Sequence, residues 1–171
     1  MLAVYRALRN LGAEAVLATH GGPYEFVLQE AGFEYDRLAP ISKPEDHSRY
    51  VQTATTPWHP VYRDSETLEK HVVNEIEYFR RQDAEAVVSG FTLSAALSAR
   101  AVGIPLVVTH LGAFVPPVWE RGELAFAQTW DSQLTGWIPQ SWLDRLGNWL
   151  APRMRFQTRL FNSVAERIGC D

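Results

Sequence analysis

The segment AEAVVSGFTLSAALSARAVGIPLVVTHLG, residues 84–112, holds two short valine-rich runs separated by one helix-length stretch of small residues. Near-continuous apolar runs of this length read as strands buried on both faces, the habit of parallel sheets. A helix between two such strands makes a βαβ unit with a right-handed crossover. Thr92 stands where a helix cap is expected and Gly103 where the helix should stop. A chain committed to this unit must cover a parallel sheet with helices, so the expected class is α/β.

The rest of the chain repeats the alternation. Leu2, Tyr5, Leu8 and Leu11 recur at helical spacing before Gly12, and AEAVLAT (13–19) then reads as a strand. PYEFVLQEAG (23–32) reads as a helix with proline near its first turn, and FEYDRLA (33–39) as a further strand. Leu68, Val72, Ile76 and Phe79 form the stripe of a helix that Asp64 or Ser65 can cap. Near the end, Trp142, Leu146, Trp149 and Leu150 share one helical face, and Phe156, Leu160, Val164 and Ile168 another. Between these elements lie two irregular stretches, residues 40–64 with four prolines and residues 113–140 with Pro116 and Pro117. The expectation is one domain over residues 1–171, a Rossmann-like parallel sheet flanked by helices. Its first readable element is a helix, whereas a doubly wound sheet normally begins with a central strand.

Bulk properties narrow the function. Sixteen basic against twenty acidic side chains give a net charge of −4, which argues against nucleic acid as a partner. The single cysteine excludes an internal disulfide framework and suits a reducing compartment, so the expected location is cytoplasmic. Arg6, Arg9 and Asn10 break up any signal-peptide core, and no run of ~18 apolar residues is available to cross a bilayer. The five histidines have no paired spacing on a helix and no cysteine partners, so no metal site is expected. THGG at 19–22 lacks the lysine and glycine spacing of a phosphate cradle. There is no Gly-x-Ser-x-Gly elbow and no dinucleotide fingerprint, which disfavours hydrolases and dehydrogenases. The Trp-rich segment 137–149, followed by Arg153, Arg155 and Arg159, is expected to pack on the sheet or line an apolar cleft; contact with a membrane surface is the weaker alternative.

In open parallel sheets, ligands bind beyond the carboxyl ends of the strands, where loops and helix N-termini converge. That rule gathers Thr19-His20-Gly21-Gly22, Ser89-Gly90-Phe91-Thr92 and Thr109-His110-Leu111-Gly112 around one cleft, with the loop carrying His47, Trp58 and His59 as its roof. His20 and His110 are either general bases or hydrogen-bonding groups for a hydroxylated ligand, or strand-end histidines that merely bind backbone or water. Thr92 has a complete structural role as a cap, with any ligand contact secondary.

ALRNLGAEAVLATHGGPYEFVLQEAGFEY together with DAEAVVSGFTLSAALSARAVGIPLVVTHLGAF resembles the N-terminal, acceptor-binding half of GT-B glycosyltransferases of the UDP-glycosyltransferase and sterol or macrolide glycosyltransferase kind. The resemblance covers most of residues 3–112 and lies in the order and spacing of its pieces. It implies a small, hydrophobic, hydroxylated acceptor lined by His20, Gly21, Phe91, Thr92, His110 and Gly112, with Trp58 and Phe114 as apolar walls. It also implies that a UDP- or dTDP-sugar serves the complete enzyme as co-substrate, bound by a separate C-terminal donor domain and not by this chain. Relatives begin with a strand, a glycine-rich turn and a general-base histidine, all of which would precede Met1. Many carry an aspartate after the VVS-type strand, where this chain has Gly90. The resemblance thus assigns no catalytic residue here and implies a part without activity by itself. The alternative is a stand-alone binding module, or one that pairs with a separate donor-domain chain.

Overall fold

The computed structural model describes residues 1–43, 45–46, 48, 61–90, 92–109, 121, 138–150 and 156–170. Its elements run α1 (Leu2–Asn10), β1 (Ala18–Thr19), α2 (Glu25–Glu30), β2 (Asp36–Arg37), α3 (Ser65–Arg81), β3 (Val87–Ser89), α4 (Ala95–Val102), β4 (Leu106–Val108), α5 (Gln140–Leu150) and α6 (Phe156–Arg167). The architecture is α/β, with both strand pairs parallel: β1 with β2, and β3 with β4.

Helix α3 is the organising element. Asp64 caps it, Oδ1 accepting from the Thr67 N–H at 2.7 Å, and this bond holds the carboxyl below its ordinary range. Arg80 and Arg81 in its last turn favour the negative end of the helix dipole. Its inner face buries Leu68, Val72, Glu75, Tyr78 and Phe79. Leu68 and Val72 meet Val164 of α6 in one core cluster, with Tyr62, Leu97, Leu160 and Phe161 around it. Tyr78 and Phe79 meet Leu38 in a second, against Val87, Val102 and Ile104. Arg167 Nε, 2.8 Å from Glu69 Oε2, ties α6 to α3 at the surface.

Helix α4 presents Ala95, Ser98 and Ala99 inward, small side chains that let its axis approach α3 closely. Gly103, at φ 81°, ends it in the left-handed conformation expected of a glycine stop. Its start departs from expectation. Ser94 occupies the N-cap position without a side-chain cap bond, and Thr92 contributes only its carbonyl, which accepts from the Ala95 N–H at 3.3 Å. Thr92 is therefore not the cap, because its own N–H is held by Ser89 Oγ at 3.3 Å and the turn between them shifts the helix start downstream.

The strands are shorter than their apolar runs. Among the described residues each is paired on one side only, over two residues in β1 and β2 and three in β3 and β4, and the pairs form two separate two-stranded sheets. A strand extends only as far as a neighbour offers backbone partners. Valines that a continuous sheet would bury are correspondingly open, Val16 at 56% and Val107 at 53%. The α5 side chains Trp142, Leu146 and Trp149 are likewise exposed. Among the described residues no helix is long and apolar enough to cross a membrane.

Candidate functional site

A cavity of about 610 Å³ opens between the two strand pairs and is lined from both. Its rim holds the carboxyl ends of β1 and β3: Thr19, His20 and Gly21 from one, Ser89, Gly90 and Thr92 from the other. His20, just after β1, and Ser94, a few residues after β3, share Glu75 Oε1, which brings the two carboxyl ends together at one edge of the cavity. Gly21 sits at φ +85°, where an added Cβ would come 3.2 Å from Ile41 Cγ2, so the turn needs glycine for both conformation and space. Its N–H donates to Thr19 Oγ1 at 3.0 Å, closing the turn on the strand end.

His20 is held from two sides. Its Nε2 lies 3.0 Å from Glu75 Oε1 and its Nδ1 3.3 Å from the Pro40 carbonyl oxygen. Both neighbours are acceptors, so the ring meets both fully when it carries two protons. Glu75 is only 2% exposed and is saturated with donors. The Ser94 hydroxyl donates to Oε1 at 2.5 Å and the Ser98 hydroxyl to Oε2, and both serines are fully buried. A buried carboxylate is tolerable only with such a complete set of partners. The network thus locks β1, α3 and the start of α4 together beneath the rim.

His71 lies beside it, ring centroids 4.6 Å apart, with Tyr62 edge-on at 5.3 Å. Its Nδ1–H donates to the Thr67 carbonyl at 2.8 Å, which fixes the neutral tautomer. Burial pushes its pKa below the ordinary histidine value, and the neighbouring His20 pushes in the same direction. The Nε2 lone pair has no partner among the described residues, and the ring borders the cavity. Tyr62 accepts from the Ser94 N–H at 3.1 Å, and burial raises its hydroxyl pKa, so it stays a neutral phenol across the physiological range. The rim therefore offers one free imidazole acceptor, threonine and serine hydroxyls and an apolar floor of Leu38, Phe79 and Ala95. Among the described residues no group of three or more histidine, cysteine, aspartate or glutamate side chains is arranged to hold a metal.

Of the residues singled out from sequence, His20, Gly21 and Thr92 fall on this cavity. Phe91, His110, Gly112, Phe114, Trp58 and the loop histidines His47 and His59 lie outside the described residues. Sequence reasoning missed Glu75 and His71. A signal for Glu75 was present: it stands seven residues after Leu68 and three after Val72, within the buried stripe of α3, where a carboxylate needs partners. His71 carries no such signal, since only the fold brings it against His20. Set against protein-family models, curated proteins and solved structures, the chain matches none.

Proposed function

We propose that this chain is the acceptor-binding part of a glycosyltransferase of the GT-B kind, a Rossmann-like domain over residues 1–171 whose rim receives a small, hydrophobic, hydroxylated acceptor. One observation carries the reading: the tips of β1 and β3, each from a parallel pair, face a single cavity that combines an apolar floor with hydroxyl and imidazole groups. A hydroxylated apolar molecule matches that lining, its ring system on Leu38, Phe79 and Ala95 and a hydroxyl donating to His71 Nε2. A UDP- or dTDP-sugar belongs to the complete enzyme, on a donor domain that faces this rim and supplies the electrophilic sugar carbon.

The engagement of both His20 ring nitrogens by Pro40 and Glu75 favours the second reading, a module that binds without catalysis, alone or beside a separate donor-domain chain.

The test is titration of the chain with a sterol, a flavonoid and a macrolide, followed by backbone amide shifts. Saturable shifts at Thr19, Gly21, Ser89 and Thr92 are expected for at least one compound. Replacing His71 with phenylalanine should weaken that binding by roughly tenfold, the loss of one buried hydrogen bond. Absence of rim shifts with all three classes, or binding of UDP-glucose at this rim in their place, overturns the reading.

A further inference from the structure

Below the rim, the same cavity has the form of a slot. Residues Val16 to Thr19 on one wall and Ala86 to Ser89 on the other all line it. Side chains of a strand alternate between faces, so four consecutive lining residues mean that the strand's backbone edge is the wall. The hydrogen bonds agree. Leu17 O and Thr19 O accept from Asp36 and Leu38 of the β2 side, so Ala18 turns its N–H and C=O the other way, into the slot. Val87 N–H donates to Pro105 O and Ser89 O accepts from Thr109 on the β4 side, so Val88 turns its backbone groups into the slot from the opposite wall. Among the described residues these two edges have no backbone partner, and they face one another across a gap with their carboxyl ends at the same rim, over about 13 Å of strand length each.

We infer that the slot between β1 and β3 is a docking site for one extended, apolar polypeptide strand that runs parallel to both and continues through Met1 into α1. The chemistry of the walls requires a backbone: evenly spaced N–H and C=O groups on two sides are satisfied together only by another strand. The floor of Leu38, Phe79 and Ala95, and the burial of central parallel strands on both faces, require its side chains to be apolar. The position of Met1 sets the direction. Its side chain lies where a Cβ on Gly90 would be 3.6 Å away and accepts from the Thr109 hydroxyl at 3.4 Å, so α1 starts at the carboxyl-end rim. A chain that reaches Met1 out of the slot has run in the same sense as β1 and β3, and α1 then returns it to β1 as the crossover of a βαβ unit. Helix α1 buries none of its residues, as expected of a crossover helix whose strand is not beneath it. This strand site stands on backbone geometry and does not depend on what the rim binds.

The test uses the full chain carrying an extension on the amino side of Met1, a Val-Ile-Val-Leu-Ala strand followed by a Gly-Asn-Gly turn. Amide hydrogen exchange is read at Ala18 and Val88, with Val87, already bonded to Pro105, as internal reference. Exchange at Ala18 and Val88 should slow by about tenfold or more, and the thermal midpoint should rise by more than about 5 °C. The same extension with proline at its central position, or moved to the carboxyl terminus, should change neither. In a Cys170→Ser background, a cysteine at the strand centre should form a disulfide with Val88→Cys on oxidation, a readout that survives poor solubility. Unchanged exchange at Ala18 and Val88, equal protection by the proline or carboxyl-terminal versions, failure of the cross-link, or protection of the unextended chain through dimerisation each overturns the inference.

Discussion

Helices α1 and α3 both carry a clean apolar stripe, yet α3 buries Leu68, Val72, Tyr78 and Phe79 while α1 buries nothing. Among the described residues, α1 makes aromatic contacts through the Tyr5 and Phe33 rings at 5.5 Å and Arg6 over Phe33 at 5.1 Å. Periodicity therefore makes a helix amphipathic, but burial depends on what the fold lays against the stripe. Helix α3 has α4 on one side and α6 on another, and the tertiary stability of the chain concentrates there. The amino-terminal third has one short strand pair, β1 with β2, and the Arg37–Glu25 ion pair, with Nε and Nη2 at 2.7 and 2.8 Å from the carboxylate oxygens, and it meets α3 through His20–Glu75 and Leu38.

The largest way to break this contrast is Glu75→Ala. It strands His20, Ser94 and Ser98 beneath the rim with no common acceptor, and should cost about 4 kcal/mol in chemical denaturation. A loss under 1 kcal/mol would show that the network does not hold β1 to α3. Next, Leu68→Ala at the α3–α6 core should cost about 3 kcal/mol, whereas Leu11→Ala, at a residue 83% exposed, should stay within about 0.5 kcal/mol. Equal costs would erase the distinction between the two regions. Gly21→Ala should destabilise by about 1–2 kcal/mol, from the positive φ and the approach of Ile41. Gly32→Ala, at φ +68° with open space around it, should cost less.

The smallest effect sharpens the comparison by pH. Burial depresses His71, so the folded state resists its protonation while the unfolded chain takes up a proton near pH 6.5. Stability should be fully present above that value and decline as pH falls from there towards the folded pKa. His71→Gln should flatten this part of the pH profile. A profile unchanged by the substitution would place the titration elsewhere.

Much of the helical framework was readable because its causes are local. Asp64 as a cap, Gly103 as a left-handed stop and the spacing of Leu68, Val72 and Phe79 each act within a few residues of chain. The parallel pairing of β3 with β4 followed from two apolar runs joined by a helix. The strand lengths and the division into two sheets did not follow, because apolar runs report burial and not the presence of a neighbour. Glu75 was legible only as an anomaly in a stripe, and Thr92 as a cap was outcompeted by the turn that Ser89 Oγ closes. The α5 face of Trp142, Leu146 and Trp149 has the period of a buried helix, yet these side chains are exposed.

The sequence by itself determined which stretches are helical, the Asp64 start and the Gly103 stop, and that the strands run parallel, since propensity, capping and periodicity are short-range. Tertiary structure alone decided that His20 spends both ring nitrogens on Glu75 and Pro40, that His71 Nε2 has no partner among the described residues, and that β1 and β3 face each other across a gap. Those outcomes join residues separated by twenty to more than fifty positions, and only the packing of α3 against both strand pairs brings such distant groups within reach of one another.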